Sequence, residues 1–333
     1  MVWTSCKVGF LATAQNKISQ SMSRIGLIDV DGGKTFPNIA LMKISAYHKS
    51  IGDTVEWYSA FDGWFDKVYM SKVFSFTPDY DYHINADEVI KGGTGYAISL
   101  VDGKEVFDKS KDVNLPVEVE RMYPDYSLYP ELTKDTAFGF LTRGCPRGCD
   151  FCIVGKKEGR CSVKVADLNQ FWGGQRNIVL CDPNILACKD WKELLQQLID
   201  SKATVDFNQG LDIRLMTDEK IAMLNQIKIK EIHFAWDRWK DKDVILPKLR
   251  LFAEQYKAHR KSSHNSIVYT LVNFDTTLEQ DLERINTLRE LGYWAYVMIY
   301  DKEHCAPVYR RLQRWVNNRI IFGVCKRFED YKG

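Results

Sequence analysis

The densest chemistry in the sequence is a trio of cysteines, Cys145, Cys149 and Cys152, packed into eight residues. They stand in the run Leu141-Thr142-Arg143-Gly144-Cys145-Pro146-Arg147-Gly148-Cys149-Asp150-Phe151-Cys152, with the spacing C-x-x-x-C-x-x-C. Gly144 and Gly148 let the backbone curl tightly around a bulky ligand. Thiolates are soft ligands, and three of them can hold three irons of a 4Fe–4S cube, leaving the fourth iron open. The competing arrangement is a structural zinc site with Cys161 as fourth ligand. Structural zinc usually sits between two paired C-x-x-C knuckles, and Cys161 stands alone beyond Lys156-Lys157-Glu158-Gly159-Arg160, so the cube is preferred.

The other cysteines form no second motif: Cys6, Cys161, Cys181, Cys188, Cys305 and Cys325 are scattered through 333 residues. Cys181 and Cys188 read as buried packing thiols. A tight trio in a long chain reads as a metal site in a reducing cytoplasm rather than a secreted disulfide scaffold. Hydrophobic residues make up 45% and charged residues 27%, an ordinary globular balance. A formal net charge of +2 gives no global electrostatic case for a nucleic acid or membrane partner. No apolar run approaches the roughly 20 residues a spanning helix needs. Lys7 followed by Val8-Gly9-Phe10-Leu11-Ala12 is too short and interrupted for a signal peptide, and Met22 is an alternative start just before a first strand.

The elements that must carry the trio alternate. Strands are expected at 137–142, 177–181, 204–208, 231–236, 267–273 and 293–300. Trp191, Leu194, Leu195 and Leu198 form a helical stripe behind a cap at Asp190. Thr217 caps a helix carrying Ile221 and Leu224, and Thr276 with Glu279 forms a capping-box pattern before Leu282, Ile285 and Leu288, with Gly292 as the stop. Six strands alternating with helices predict a partial (β/α)6 TIM-like barrel over 137–300, with its site at the C-terminal strand ends. Ahead of it, 24–115 reads as a small Rossmann-like α/β domain. Its strands are expected at 24–30, 54–58, 68–76 and 88–90, with a helix opened by Pro37 and stopped at Gly52. Residues 102–135, punctuated by Pro116, Pro124 and Pro130, read as irregular and hold the domain boundary.

With Phe151 before the third cysteine, the motif resembles the C-x-x-x-C-x-aromatic-C signature of the radical S-adenosylmethionine (SAM) superfamily. The resemblance covers the barrel region and implies an enzyme. A reduced 4Fe–4S cluster passes one electron to the sulfonium of SAM, the S–C5′ bond breaks, and a 5′-deoxyadenosyl radical takes hydrogen from an unreactive C–H bond. It implies flavodoxin or ferredoxin as electron donor, and it leaves the substrate open. It also implies SAM contacts on the loops after the strands, with Phe151 against adenine. Asp182 and Asn184, after the second strand, stand where the family often has a Gly-Gly-Glu-type motif that this chain lacks; a plain Asp-Pro turn is the other reading. Gln209, Asp212 and Arg214 follow the third strand. Arg214 could fork onto the SAM carboxylate, or Asp212 could simply pair with Arg214. Asp237 ends the fourth strand as a ribose acceptor or a helix cap, and Asn273 and Asp275 are weaker candidates.

The front region resembles, more weakly, the cobalamin-binding-like domain of one radical SAM subgroup, through the first strand, Phe36-Pro37-Asn38-Ile39-Ala40-Leu41-Met42 and Gly92-Gly93. The D-x-H-x-x-G cobalamin-ligand motif is absent, and His48 reads as a helix-surface residue. A degenerate domain is preferred, with a cobalamin-dependent radical SAM methyltransferase as the alternative. A third reading, from another class, is a non-catalytic iron–sulfur redox sensor. Residues 302–333 carry eight Lys or Arg against three acids, a net of +5, leaving the rest at −3. Trp315, Phe322, Phe328 and Tyr331 interleave with these bases. RNA is conceivable there, but a helix and strand closing the barrel are preferred.

Overall fold

The computed structural model describes residues 22–101, 104–261 and 266–333. The apolar run Val8–Ala12 and Cys6 lie outside the described residues. The chain is mixed α/β, and its main sheets are parallel.

The front sheet contains β1 (Arg24–Asp29), β2 (Thr54–Trp57), β3 (Phe65–Ser71) and β4 (Ala86–Gly92), in the order β2-β1-β3-β4 and all parallel. Helix α1 (Ile39–Ser50) crosses from β1 to β2. It starts after Asn38 rather than at Pro37, because the Asn38 side chain accepts the Leu41 N–H at 3.2 Å. One face of the sheet packs Ile25 and Leu27 against Leu41 and Ile44 of α1. The other face buries Ile28, Phe65, Val68 and Met70 with no helix over it among the described residues; Tyr58, Tyr80 and Ile84 roof it from loops. His48 is not on the helix surface. It is 8% exposed, with Nδ1 at 2.7 Å from Asp53 Oδ2 and Nε2 at 3.0 Å from Tyr69 Oη.

The stretch expected to be irregular begins with a hairpin, β5 (Ile98–Val101) and β6 (Lys104–Phe107), followed by short helices α2 (Val117–Glu120) and α3 (Pro130–Thr133). This segment ties the front sheet to the C-terminal two-thirds of the chain. Tyr129 donates to Asp29 Oδ2 at 2.7 Å, and Lys43 of α1 pairs with Glu120 at 2.9 Å. Phe36 meets Phe138 edge-on at 5.0 Å. A cavity of ≈ 190 Å³ lies on this seam, lined by Ile39, Lys43, Glu120, Phe138 and Phe140 among others.

After β7 (Thr136–Gly139), a small hairpin of β8 (Thr142–Arg143) and β9 (Val163–Lys164) brackets the cysteine loop and its short helix α4 (Val154–Lys157). Then β10 (Asn177–Leu180), β11 (Thr204–Phe207) and β12 (Lys228–Ile229) join β7 in a parallel sheet of order β12-β11-β10-β7. A second parallel sheet runs β13 (Ile232–Ala235), β14 (Ser266–Val272), β15 (Trp294–Ile299). The Leu211 N–H donates to His233 O at 2.7 Å across the join between these two sheets.

Helices α5 (Trp191–Ser201), α6 (Asp218–Leu224), α7 (Lys242–Gln255), α8 (Lys257–Lys261) and α9 (Leu278–Glu290) separate the later strands. Their apolar stripes meet one face of each sheet in a single core, with Leu194, Leu195 and Leu198 of α5 all at 1% exposure or less. Asp190 precedes α5 but makes no side-chain cap bond, and the capping box of α9 is Thr277 with Gln280, one residue beyond the expected pair. The C-terminal segment is two helices with no strand among the described residues, α10 (Pro307–Asn317) and α11 (Arg319–Val324). Trp315, Phe322 and Phe328 are buried in the main core, so these rings are not presented for stacking on RNA bases. Among the described residues no helix is long and apolar enough to cross a membrane.

Candidate metal centre

The loop carrying Cys145, Cys149 and Cys152 is closed at its base by the β8–β9 pairing of Thr142 with Lys164 and Arg143 with Val163. Glu158 reinforces the closure, accepting the Gly144 N–H at 3.1 Å through Oε2 and Arg143 at 3.0 Å through Oε1. Gly144 has φ +83, and a Cβ there would lie 2.2 Å from the Cys161 carbonyl oxygen, so only glycine fits. The Cys152 N–H turns back onto Cys149 O at 3.0 Å. The three thiols are free and half-buried. Burial pushes the Cys149 thiol up against the pull of Arg214, and burial also raises Cys152, with Cys145 and Asp237 adding to it.

Side chains from the ends of several strands meet this loop. After β10, Asn184 is 3% exposed; its Nδ2 lies 3.5 Å from Cys145 Sγ and 3.4 Å from Asp212 Oδ2, and its Oδ1 has no partner among the described residues. After β11, Asp212 accepts Arg147 of the cysteine loop at 2.5 Å and Arg214 at 2.7 Å. These two guanidinium groups outweigh burial and hold its carboxyl below the usual range. Arg214 continues to Asp241 at 3.1 Å. After β13, Asp237 is half-buried with Oδ1 shut off from water and unpartnered among the described residues, and desolvation pushes it up to about 6 against the nearby Arg284. Its neighbour Arg238 reaches back to Asp150, between the second and third cysteines, at 2.6 Å. Phe151 packs edge-on against Phe274, after β14, at 5.3 Å, and Phe274 against Tyr300, after β15, at 4.9 Å.

Other expected contacts lie elsewhere or are already engaged. Asp182 is buried under the hairpin: Oδ2 accepts the Leu141 N–H at 3.1 Å, and Oδ1 accepts Thr142 N–H at 2.5 Å and Oγ1 at 2.7 Å. Its carboxylate thereby fixes the start of the cysteine loop, although burial pushes it up to about 6. Gln209 is exposed and stands apart from the cysteine loop's hydrogen bonds among the described residues. Asn273, at φ +64, donates to Tyr300 O at 3.0 Å, and Asp275 is exposed. Cys181 and Cys188 are buried in the core, as their reading as packing thiols requires, and Cys161 is exposed.

Reasoning from sequence missed Arg147, Arg238, Asp241, Phe274 and Tyr300. Only Arg147 carried a local signal, a basic residue among the cysteines; the others become neighbours of the loop through the sheet order.

Among the described residues, no group of three or more His, Cys, Asp or Glu is arranged to hold a single metal ion. A cube makes a different demand, because its thiolates bind different irons. The donor set suits that demand: three thiols on one glycine-turned loop, with the orphaned oxygens of Asn184 and Asp237 beside them. No family model matches this chain, and the search of curated proteins returns no match.

Proposed function

We propose that this chain is a radical SAM enzyme whose cluster is held by Cys145, Cys149 and Cys152, and that β7, β10, β11, β13, β14 and β15 curve together as a partial barrel around it. The observation that carries the reading is convergence: the cysteine loop is tied by Asn184, Asp212 and Arg238 to the ends of three other parallel strands. When bound, the cluster and SAM supply a 5′-deoxyadenosyl radical for C–H modification.

The chain's own residues position and enclose. Asp182 and Glu158 hold the loop in its closed form. Asn184 and Asp237 offer unpartnered oxygens to the amino and ribose hydroxyl donors of SAM. Arg214 is oriented by Asp212 and Asp241 so that its remaining N–H groups meet a carboxylate. Phe151, Phe274 and Tyr300 form an aromatic wall that keeps water from the adenine side. Flavodoxin or ferredoxin is the proposed electron donor.

The test is anaerobic reconstitution with iron and sulfide, reduction, addition of SAM, and assay of 5′-deoxyadenosine. Product is expected, and Cys149→Ala is expected to lose both cluster and product. A fully loaded cluster that makes no 5′-deoxyadenosine would point to a redox sensor and end the proposal. So would X-ray absorption showing zinc with four sulfur ligands. A corrinoid spectrum after cobalamin addition would move the reading to a methyltransferase.

A further inference from the structure

Strands β11, β13, β14 and β15 each turn one set of side chains to the helices: Val205 and Phe207, Ile232 and Phe234, Val268 and Val272, Ala295 and Val297. The opposite face carries Asp206, His233, Tyr269 and Tyr296 among the apolar Ile267, Leu271 and Met298, so polar groups reach into the inside of a parallel sheet. Register places Tyr269 beside Tyr296, and their rings meet edge-on at 5.6 Å. The His233 ring lies nearly parallel to Tyr269, with centroids 5.4 Å apart and planes 16° apart.

Two acceptors in this group lack donors among the described residues. Asp206 Oδ1 is shut off from water and has no hydrogen-bond partner. His233 Nε2 lies 3.7 Å from Glu231 Oε2, and Nδ1 is buried and unpartnered; in the tautomer with the proton on Nε2, Nδ1 is an acceptor. Burial raises Asp206 and lowers His233, and each shift is partly offset by the other group, which places the two side chains beside each other. The nearby Lys230 is exposed and forms no ion pair with Asp206. Two adjacent acceptors without protein donors call for a bound group, water or ligand, that supplies the donors. Asp206 as a residue is only half-buried, which leaves a way in, and Tyr296, 41% exposed, and Met298, 39% exposed, open the same face towards β15.

We infer that this face is the substrate site and that it takes a guanidinium group. A guanidinium presents parallel N–H donors in a planar fork, which matches two side-by-side acceptors. Its flat cation also lies favourably over tyrosine faces. An anion is excluded by the carboxylate, and an ammonium matches the pair of acceptors less well. The inference rests on the proposed function, whose substrate class it names. The guanidinium belongs either to a small molecule or to an arginine within a peptide.

The experiment is calorimetry on the full chain with agmatine and with a capped Gly-Arg-Gly peptide, alongside cadaverine and cytidine. Saturable binding of agmatine or the peptide is expected, with cadaverine weaker and cytidine inert. The tighter of the two guanidinium probes identifies the source. Asp206→Asn should weaken binding about tenfold or more, with circular dichroism reporting its fold. Tyr296→Leu, at an exposed position, should weaken binding several-fold and keeps the test decisive if Asp206→Asn misfolds. Absence of guanidinium binding, binding unaffected by either variant, or cytidine binding with the same sensitivity would overturn the inference. The 5′-deoxyadenosine assay on the same preparation separates the two claims: cleavage without guanidinium binding sinks this one alone, and binding without cleavage sinks the proposed function alone.

Discussion

Replacing Arg284 with Met should be among the most damaging single changes in the molecule. Arg284 sits on α9 with no exposure, paired at 2.5 Å with Asp281, which is equally buried. It donates to Leu271 O at 2.7 Å and also to Trp236 O, so one guanidinium joins α9 to the ends of β14 and β13. Methionine fills much of the same volume but has no donor. The variant leaves a buried carboxylate unpaired and two buried carbonyls without this donor. Breaking a buried pair in this way costs about 3–5 kcal/mol. Because both side chains are fully enclosed, solvent does not screen the interaction. Urea unfolding followed by tryptophan fluorescence should show a lower midpoint with an unchanged slope. The double variant Arg284→Met with Asp281→Leu should recover a large part of the loss, because it removes the stranded charge. A single variant within about 1 kcal/mol of the parent would refute the assignment of Arg284 as the clamp of these strand ends.

Three further outcomes are expected. His259 is 7% exposed, and burial lowers it below its usual 6.5 despite a 3.0 Å contact between Nε2 and Leu291 O. The unfolded chain therefore binds the proton first, and stability should fall as pH drops below 6.5; unfolding curves of His259→Gln should have a shallower pH slope, and identical slopes would reject the assignment. Gly144→Ala combines φ +83 with a 2.2 Å clash against Cys161 O, whereas Gly159→Ala has φ +98 and nothing within 4 Å. The first should accelerate labelling of Cys145 and Cys149 by a thiol reagent and cost about 2 kcal/mol or more, and the second about 1 kcal/mol; equal effects would mean that contact with Cys161 does not shape the loop. Asp182→Asn keeps one acceptor and turns an amide towards backbone N–H groups, so a loss of about 2–3 kcal/mol in urea unfolding is expected, and a neutral result would remove Asp182 as the anchor of the hairpin.

Much of the architecture was legible because it rests on periodicity. The stripe Leu194, Leu195, Leu198 faces the core as its spacing requires, and the six later strands fall within a few residues of their expected bounds. Boundaries slipped where two polar residues competed for one role. Thr276 and Thr277 are adjacent, and only the geometry of the turn selects Thr277 as the cap. His48 looked superficial because it is polar and mid-helix; its burial comes from Asp53 and Tyr69, which a helical pattern does not contain. The candidate site was legible in its cysteines, whose signal is local spacing. Its ion pairs were not, because Arg147 finds Asp212 across 65 residues and Arg238 finds Asp150 across 88. Arg284 was hidden for a related reason: beside Ile285 on an amphipathic helix, a buried arginine and a solvated one look alike in sequence.

The unequal cover of the front sheet has a consequence for how that region opens. A helix braced by its own ladder shields Ile25 and Leu27, whereas Phe65, Val68 and Met70 lie under rings carried on loops. Such a roof can lift while every strand stays paired, since no backbone ladder has to break. Amide exchange there should therefore occur in two steps, with residues 75–84 trading hydrogens fast and β1 and β3 trading slowly. A protease would find its first cut in the aromatic loop long before the sheet beneath it came apart.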